Sequence, residues 1–180
     1  MTRKFACPFC LTYGRHIPVG KSKDNPINKN KAVIFACMSC DRYILGVIDS
    51  LGNFTMYPKA EFYIHSSFPK KVKELIKALY STSNPNITVM CARVILEYTL
   101  KDLGIGTDND PLYERIQKAY EKKLITKPVA DWAHIVRKFG NVAIHDVEAT
   151  YIEAAEVKEF IKIFLDLVYR IPYEISKFEK

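Results

Sequence analysis

The sequence predicts a mainly α-helical chain in two parts: a small cysteine-stapled ribbon of three strands over residues 1–57, and a five-helix bundle over residues 66–176. Residues 58–65 join them. Three observations predict this. Two Cys-x-x-Cys pairs, Cys7-Pro8-Phe9-Cys10 and Cys37-Met38-Ser39-Cys40, lie in the first 40 of 180 residues. β-branched and aromatic runs surround the second pair. From Phe68 onward, apolar residues recur at the period of a helix. With 48% hydrophobic and 26% charged residues, the composition is that of a globular chain with enough apolar side chains for a core, not of a disordered one.

A Cys-x-x-Cys turn aims two thiolates at one point, and two such turns complete a tetrahedron. Both pairs follow the same dipeptide, Phe5-Ala6 before Cys7 and Phe35-Ala36 before Cys37, so the sequence predicts two equivalent knuckles entered by similar strands. Four sulfur ligands at this spacing fit Zn2+, held by Cys7, Cys10, Cys37 and Cys40. The ion is expected to be structural, because four protein ligands leave no position open for water or substrate. A dithiol redox pair is the alternative, but such pairs sit in a βαβ pattern that is missing here.

Strands are expected at Ala32–Phe35, at Tyr43–Ile48 and, after the turn at Asp49–Asn53, at Phe54–Tyr57. A ribbon of this size buries little core, so metal binding has to substitute for it. Between the knuckles, Arg15, His16, Lys21, Lys23, Lys29 and Lys31 are expected in one polar loop with Gly20, Asn25 and Pro26. Arg15, Lys21, Lys23, Lys29 and Lys31 are candidate contacts to the phosphates of RNA or DNA; a solvated surface loop is the competing reading. The formal charge of +7 favours the first part: residues 1–65 carry nine Lys/Arg against four Asp/Glu, and residues 66–180 carry eighteen against sixteen. That bias is compatible with nucleic acid without being specific to it. No apolar run reaches the ~20 residues a membrane span needs, and no signal peptide is discernible, so a soluble, cytoplasmic protein is expected.

In the second part, Val72, Leu75, Ile76 and Leu79 predict an amphipathic helix that stops at the Ser81–Pro85 breaker. Ile87 to Leu103 is apolar on nearly every side and belongs in the middle of a bundle, with Cys91 as a buried, inert thiol. Gly104 and Gly106 end it. A third helix follows Asp110-Pro111 with Leu112, Ile116, Ala119 and Tyr120 on one face, and a fourth carries Val129, Trp132, Ile135, Val136 and Phe139. Thr150-x-x-Glu153 is a capping box opening the last helix, with Ile152, Phe160, Ile163, Phe164 and Leu167 inward and Pro172 beyond its end. Arg93 and Glu97, four apart, are expected to form an ion pair inside the bundle, with a polar cleft shared by Arg93 and His145 as the alternative.

Ala92-Arg93-Val94-Ile95-Leu96-Glu97, the stretch from Val136 to Asp146 containing Arg137, Gly140, Asn141 and His145, and the capped last helix together resemble a prokaryotic domain family of unknown function. That family often stands behind an N-terminal zinc ribbon or in restriction-enzyme subunits. The resemblance runs from about Tyr57 to Pro172 and implies a distant relation to HEPN domains, helical bundles that commonly dimerise and include metal-independent ribonucleases of toxin and antiphage systems. It therefore implies a HEPN-like bundle, a homodimer formed through it, and a catalytic set of His145, Arg137 and Asn141. Gly140 stands where the family's nucleases carry their arginine. A histidine in such a set can take the proton of a ribose 2′-hydroxyl while an arginine stabilises charge on phosphorus. The resulting expectation is a zinc-holding protein with a nucleic-acid-binding or regulatory role in prokaryotic defence or mobile-element biology. Its alternatives are an endoribonuclease using His145 and Arg137, and an adaptor that binds a protein partner and no nucleic acid.

Overall fold

A computed structural model of the chain describes residues 2–59, 62–142 and 149–178. The chain divides into two compact units, Met1–His65 and Ser66–Lys180.

The first unit is an antiparallel meander of five strands, β1 (Arg3–Ala6), β2 (Tyr13–Lys21), β3 (Lys31–Cys37), β4 (Tyr43–Ile48) and β5 (Phe54–Tyr57), ordered in the sheet as in the chain. This corrects the expected three-stranded ribbon. The repeat before each knuckle points to the strand Arg3–Ala6 without giving it a place in the count, and Tyr13–Lys21 was hidden because its outward positions are charged or mixed, so it does not read as an apolar run. Along β2, Tyr13, Arg15 and Ile17 are exposed while His16 between them is buried, which is strand period in a polar disguise. Register slips between Pro18 and Gly20, where proline has no N–H for the ladder.

Phe5, Val33, Phe35 and Ile44 make the inner face together with Cys7 and Cys37. The cysteines are thus part of the core. Phe35 meets the edges of Phe5 and Phe54, with centroids 5.6 and 5.7 Å apart. Gly46 on β4 makes room for these rings: a Cβ there would lie 2.4 Å from Phe54 Cε2 and 2.8 Å from Phe35 Cε2. Gly46→Ala is therefore expected to cost about 1–3 kcal/mol through overpacking. Chemical denaturation of the metal-loaded protein checks it, and an unchanged midpoint would show that the rings can move aside.

The second unit runs α1 (Lys70–Ser81), α2 (Pro85–Asp102), α3 (Leu112–Glu121), α4 (Lys127–Val142) and α5 (Tyr151–Leu165), which continues through a π-helical turn (Asp166–Arg170) into α6 (Ile171–Ile175). Asn84 caps α2, accepting a hydrogen bond from the Ile87 N–H, and Thr150 and Glu153 form the reciprocal capping box of α5. α2 packs against α1, α3, α4 and α5, so Val89, Ala92, Ile95, Leu96 and Leu100 are completely buried. The expectation of five helices in a HEPN-like bundle is corrected together with the ribbon. The chain is a five-stranded sheet followed by helices, the last of which does not stop before Pro172. A π turn widens the helix just where the proline would otherwise break its hydrogen-bond ladder.

Expected core positions also change, and Tyr120 of α3 is exposed. Ile135, Ile152 and Ile163 are exposed, and α5 buries Ala154, Val157, Phe160, Ile161, Phe164 and Leu165. Cys91 is half-buried, and burial raises its thiol pKa. Among the described residues, no helix is long and apolar enough to cross a membrane.

Candidate functional site

Each knuckle begins where a strand ends, Cys7 after β1 and Cys37 at the end of β3, and the two repeat one backbone design. The Cys7 carbonyl accepts from Leu11 N–H at 2.9 Å and the Cys37 carbonyl from Asp41 N–H at 2.9 Å. Leu11 and Asp41 both take left-handed backbone angles, φ 59° and 56°. The N–H groups of Phe9 and Ser39 each point at the first sulfur of their own knuckle, at 3.4 Å. Such N–H···S contacts favour the ionised sulfur. Across the pair, Arg42 of the second knuckle lies over the Phe9 ring of the first, 5.3 Å from its centroid.

The four sulfurs lie within 4.8 Å of one another, with Cys7 Sγ to Cys40 Sγ and Cys10 Sγ to Cys37 Sγ both 3.8 Å. A tetrahedron with metal–sulfur bonds of about 2.3 Å has edges of about 3.8 Å. The donor set is therefore sized for a tetrahedral thiolate-bound ion and chemically wrong for the hard cations that take oxygen ligands. Burial, with a smaller contribution from the neighbouring Cys10 sulfur, pushes the Cys7 thiol up to about 12, so a cation is needed to hold four ionised sulfurs together. The chain segment after β5 returns to this place: Ile64 N–H donates to Leu11 O at 2.6 Å.

His16, expected in a solvated loop, is completely buried on β2. Its ring stacks on Phe5 with centroids 3.7 Å apart, and Nδ1 donates to Gly14 O at 3.0 Å. Burial lowers its pKa, so it serves as a neutral aromatic plate.

The basic candidates do not share one loop either. Arg15 is exposed in the middle of β2, Lys21 ends that strand, Lys31 opens β3, and Lys23 and Lys29 lie on the connection between the two strands. Lys31 pairs with Asp24 at 2.9 Å, a surface contact worth little to stability. What sequence reasoning missed is the sheet's outer face. The register Lys4↔Arg15, Ile17↔Ala36, Ala36↔Tyr43, Ile34↔Leu45 and Leu45↔Tyr57 puts these residues on one side. Tyr43 and Tyr57 there are 66% and 51% exposed. The available signal was the alternation of Tyr43, Leu45 and Val47 against Ile44 and Gly46.

On the helical unit, His145 lies outside the described residues, so its relation to Arg137 and Asn141 does not enter. Asn141 is exposed near the end of α4, whereas Arg137 is half-buried, its guanidinium 5.6 Å from the Tyr113 ring centroid. The Arg93 to Glu97 pairing gives way to tertiary contact. Arg93 Nη1 donates to Arg137 O at 2.9 Å, and Glu97 pairs with Lys101 at 2.9 Å. The Arg93 stem crosses Gly140, where a Cβ would lie 2.8 Å from Arg93 Cβ. That crossing explains why a glycine stands at this point and leaves no room for an arginine.

The family model for a domain of unknown function, DUF4145, matches residues 73–180, more than half of the chain and nearly all of the helical unit. No curated protein and no solved structure matches the chain significantly.

Proposed function

We propose a function for this chain, which belongs to the DUF4145 family of domains of unknown function: it holds a structural zinc ion through Cys7, Cys10, Cys37 and Cys40 and binds single-stranded nucleic acid on the outer face of its five-stranded sheet. The observation that carries the proposal is that face. It combines cations at one edge, Lys4 and Arg15, with exposed Tyr43 and Tyr57 and the aliphatic Ile17, Ile34 and Leu45 between them. Basic side chains follow a phosphate backbone while aromatic rings stack on bases of any sequence, and the combination favours single strands over duplex. Lys23 and Lys29, on the connection between β2 and β3, extend the cationic rim. The zinc holds the two knuckles together and so keeps the sheet folded. The resemblance of the segments around Arg93 and Arg137 extends the proposal to a role in prokaryotic defence or mobile-element biology.

The test is fluorescence anisotropy with labelled single-stranded RNA, single-stranded DNA and duplex DNA at several salt concentrations. Tyr43→Ala and Tyr57→Ala are each expected to weaken single-strand binding by about 5–100-fold, the usual worth of one base stack. Arg15→Ala should weaken it and flatten the salt slope by about 0.7. Metal content and circular dichroism confirm the fold of each variant. Absence of binding at low salt would sink the proposal and favour the protein adaptor.

For the homodimer, the supporting observation is that α2 leaves Ile87, Met90 and Val94 exposed at helical spacing, an apolar stripe suited to a second copy. Met90→Glu is expected to shift the mass measured by light scattering from dimer to monomer; a monomer before mutation removes this part of the reading.

A further inference from the structure

A second group of cationic and polar side chains lies in the helical unit, built on α2, α3 and α4. His134 and Arg137 stand three apart on α4 and therefore share a face. Tyr113 of α3 lies against both, its ring centroid 5.0 Å from that of His134 and 5.6 Å from the Arg137 guanidinium carbon. Arg93 comes over from α2 and is tied to the Arg137 carbonyl; burial lowers its pKa, the charge of Glu97 opposes that, and repulsion by Arg137 adds to it.

Among the described residues, the acids nearby divide their charge: Glu97 attracts Arg93 and Asp131 attracts His134, and each also holds a lysine. Glu97 pairs with Lys101, and Asp131 with Lys127. Two donor-bearing atoms of the group, His134 Nδ1 and Arg137 Nε, are buried with no hydrogen-bond partner among the described residues. A buried guanidinium N–H without an acceptor costs free energy, and a second half-buried arginine near enough to repel it adds to the cost. Proteins accept such an arrangement where an anion completes it. Arginine favours a tetrahedral oxyanion, whose several oxygens can accept from more than one donor at once.

We propose that Arg93, His134 and Arg137 form a phosphate-binding site on the helical unit, with Tyr113 as its wall. Arg137 Nε–H and His134 Nδ1–H donate to phosphate oxygens, and Arg93 supplies the second positive charge. Burial and the neighbouring Arg137 both lower the pKa of His134, so its imidazole binds as a neutral donor through Nδ1. The site is separate from the sheet face and does not rest on the reading given for it. Its phosphate comes either from a free anion or nucleotide, or from the backbone of a nucleic acid.

The test is NMR of the Arg Nε–H groups in the zinc-loaded full chain, with Arg137→Gln assigning the resonance. It is titrated with inorganic phosphate, with a short single-stranded RNA, and with chloride at matched ionic strength. A saturable shift of the Arg137 Nε–H signal with inorganic phosphate supports the site and identifies a free anion as sufficient. A saturable shift with RNA alone supports it and assigns the phosphate to a nucleic-acid backbone. No shift with either, or an equal shift with chloride, overturns it. Because His134→Ala could loosen α4, His134→Gln and Arg93→Lys are used as well. His134→Gln is expected to weaken binding about tenfold or more, the worth of one hydrogen bond to a charged group. Arg93→Lys, which keeps the charge, should weaken it less than Arg93→Gln does. Equal affinity in all the variants would also overturn the assignment.

Discussion

Cys37→Ser is expected to abolish stoichiometric metal binding and to unfold the first unit while leaving the helices intact. Cys37 is 2% exposed and lies in the centre of the inner face with Phe5, Phe35 and Ile44. A hydroxyl there ligates zinc poorly and places a polar group in an apolar core. Structural zinc contributes about 10–16 kcal/mol of apparent binding energy in small zinc modules, more than a 65-residue unit could replace from its own core. Metal analysis should therefore fall from one ion per chain to none, and amide signals of the first unit should collapse to those of an unfolded chain. Chelation of the wild-type protein should do the same. One retained ion with an unchanged melting curve would refute the centre. The pH dependence has a fixed sign. Each ion displaces thiol protons, and burial pushes Cys7 up to about 12 in the absence of a cation. Metal-dependent stability is present at neutral pH and is lost as pH falls and protons compete for the sulfurs.

The second large effect belongs to Arg115. Its side chain is 1% exposed and reaches back from α3 to the connection after α2. Nη1 donates to Ile105 O at 2.7 Å, Nε to Asp110 O at 3.1 Å, and Nη2 to Thr107 O. Three carbonyls of one turn thus share one guanidinium. Arg115→Ala removes all three donors and leaves a void of arginine size beneath Gly106, so a loss of about 3–5 kcal/mol is expected for the helical unit. Arg115→Lys should recover only part of it, since an ammonium cannot match three carbonyls fixed around a planar fork. Thermal unfolding followed at a helical band checks both, and a change under about 1 kcal/mol in Arg115→Ala would mean that water replaces the side chain.

The four-cysteine cluster was legible because ligand spacing is a local property: two residues between cysteines suffice to set a turn, wherever the turns later meet. The repeated Phe-Ala before each pair was also informative, since Phe5 and Phe35 meet edge to face in the core. The second strand was not legible. Arg15, His16 and Lys21 look like loop residues until Phe5 is known to cover the imidazole. The same limit hid the partner of Arg93. Spacing along α2 favours Glu97, yet the close approach of α2 and α4 at Gly140 puts the Arg137 carbonyl within reach instead. Ile152 and Ile163 show a third kind of loss: helical period identifies a stripe, but only packing decides which of its edges is covered.

The paired knuckles have a consequence for chain topology. The facing sulfurs are 33 and 27 residues apart in sequence, so an ion among them acts as a reversible cross-link closing a loop of about 30 residues. By the chain-entropy relation for cross-links, such closure disfavours the unfolded chain by about 3–4 kcal/mol. The dependence on loop length is logarithmic, and doubling the loop changes the cost by only about 0.6 kcal/mol. The connection between β2 and β3, residues 22–30, is the longest part of that loop outside the strands. It is therefore free to lengthen, shorten or change sequence with little effect on the metal-closed fold, which makes it the segment of the first unit best suited to vary between relatives.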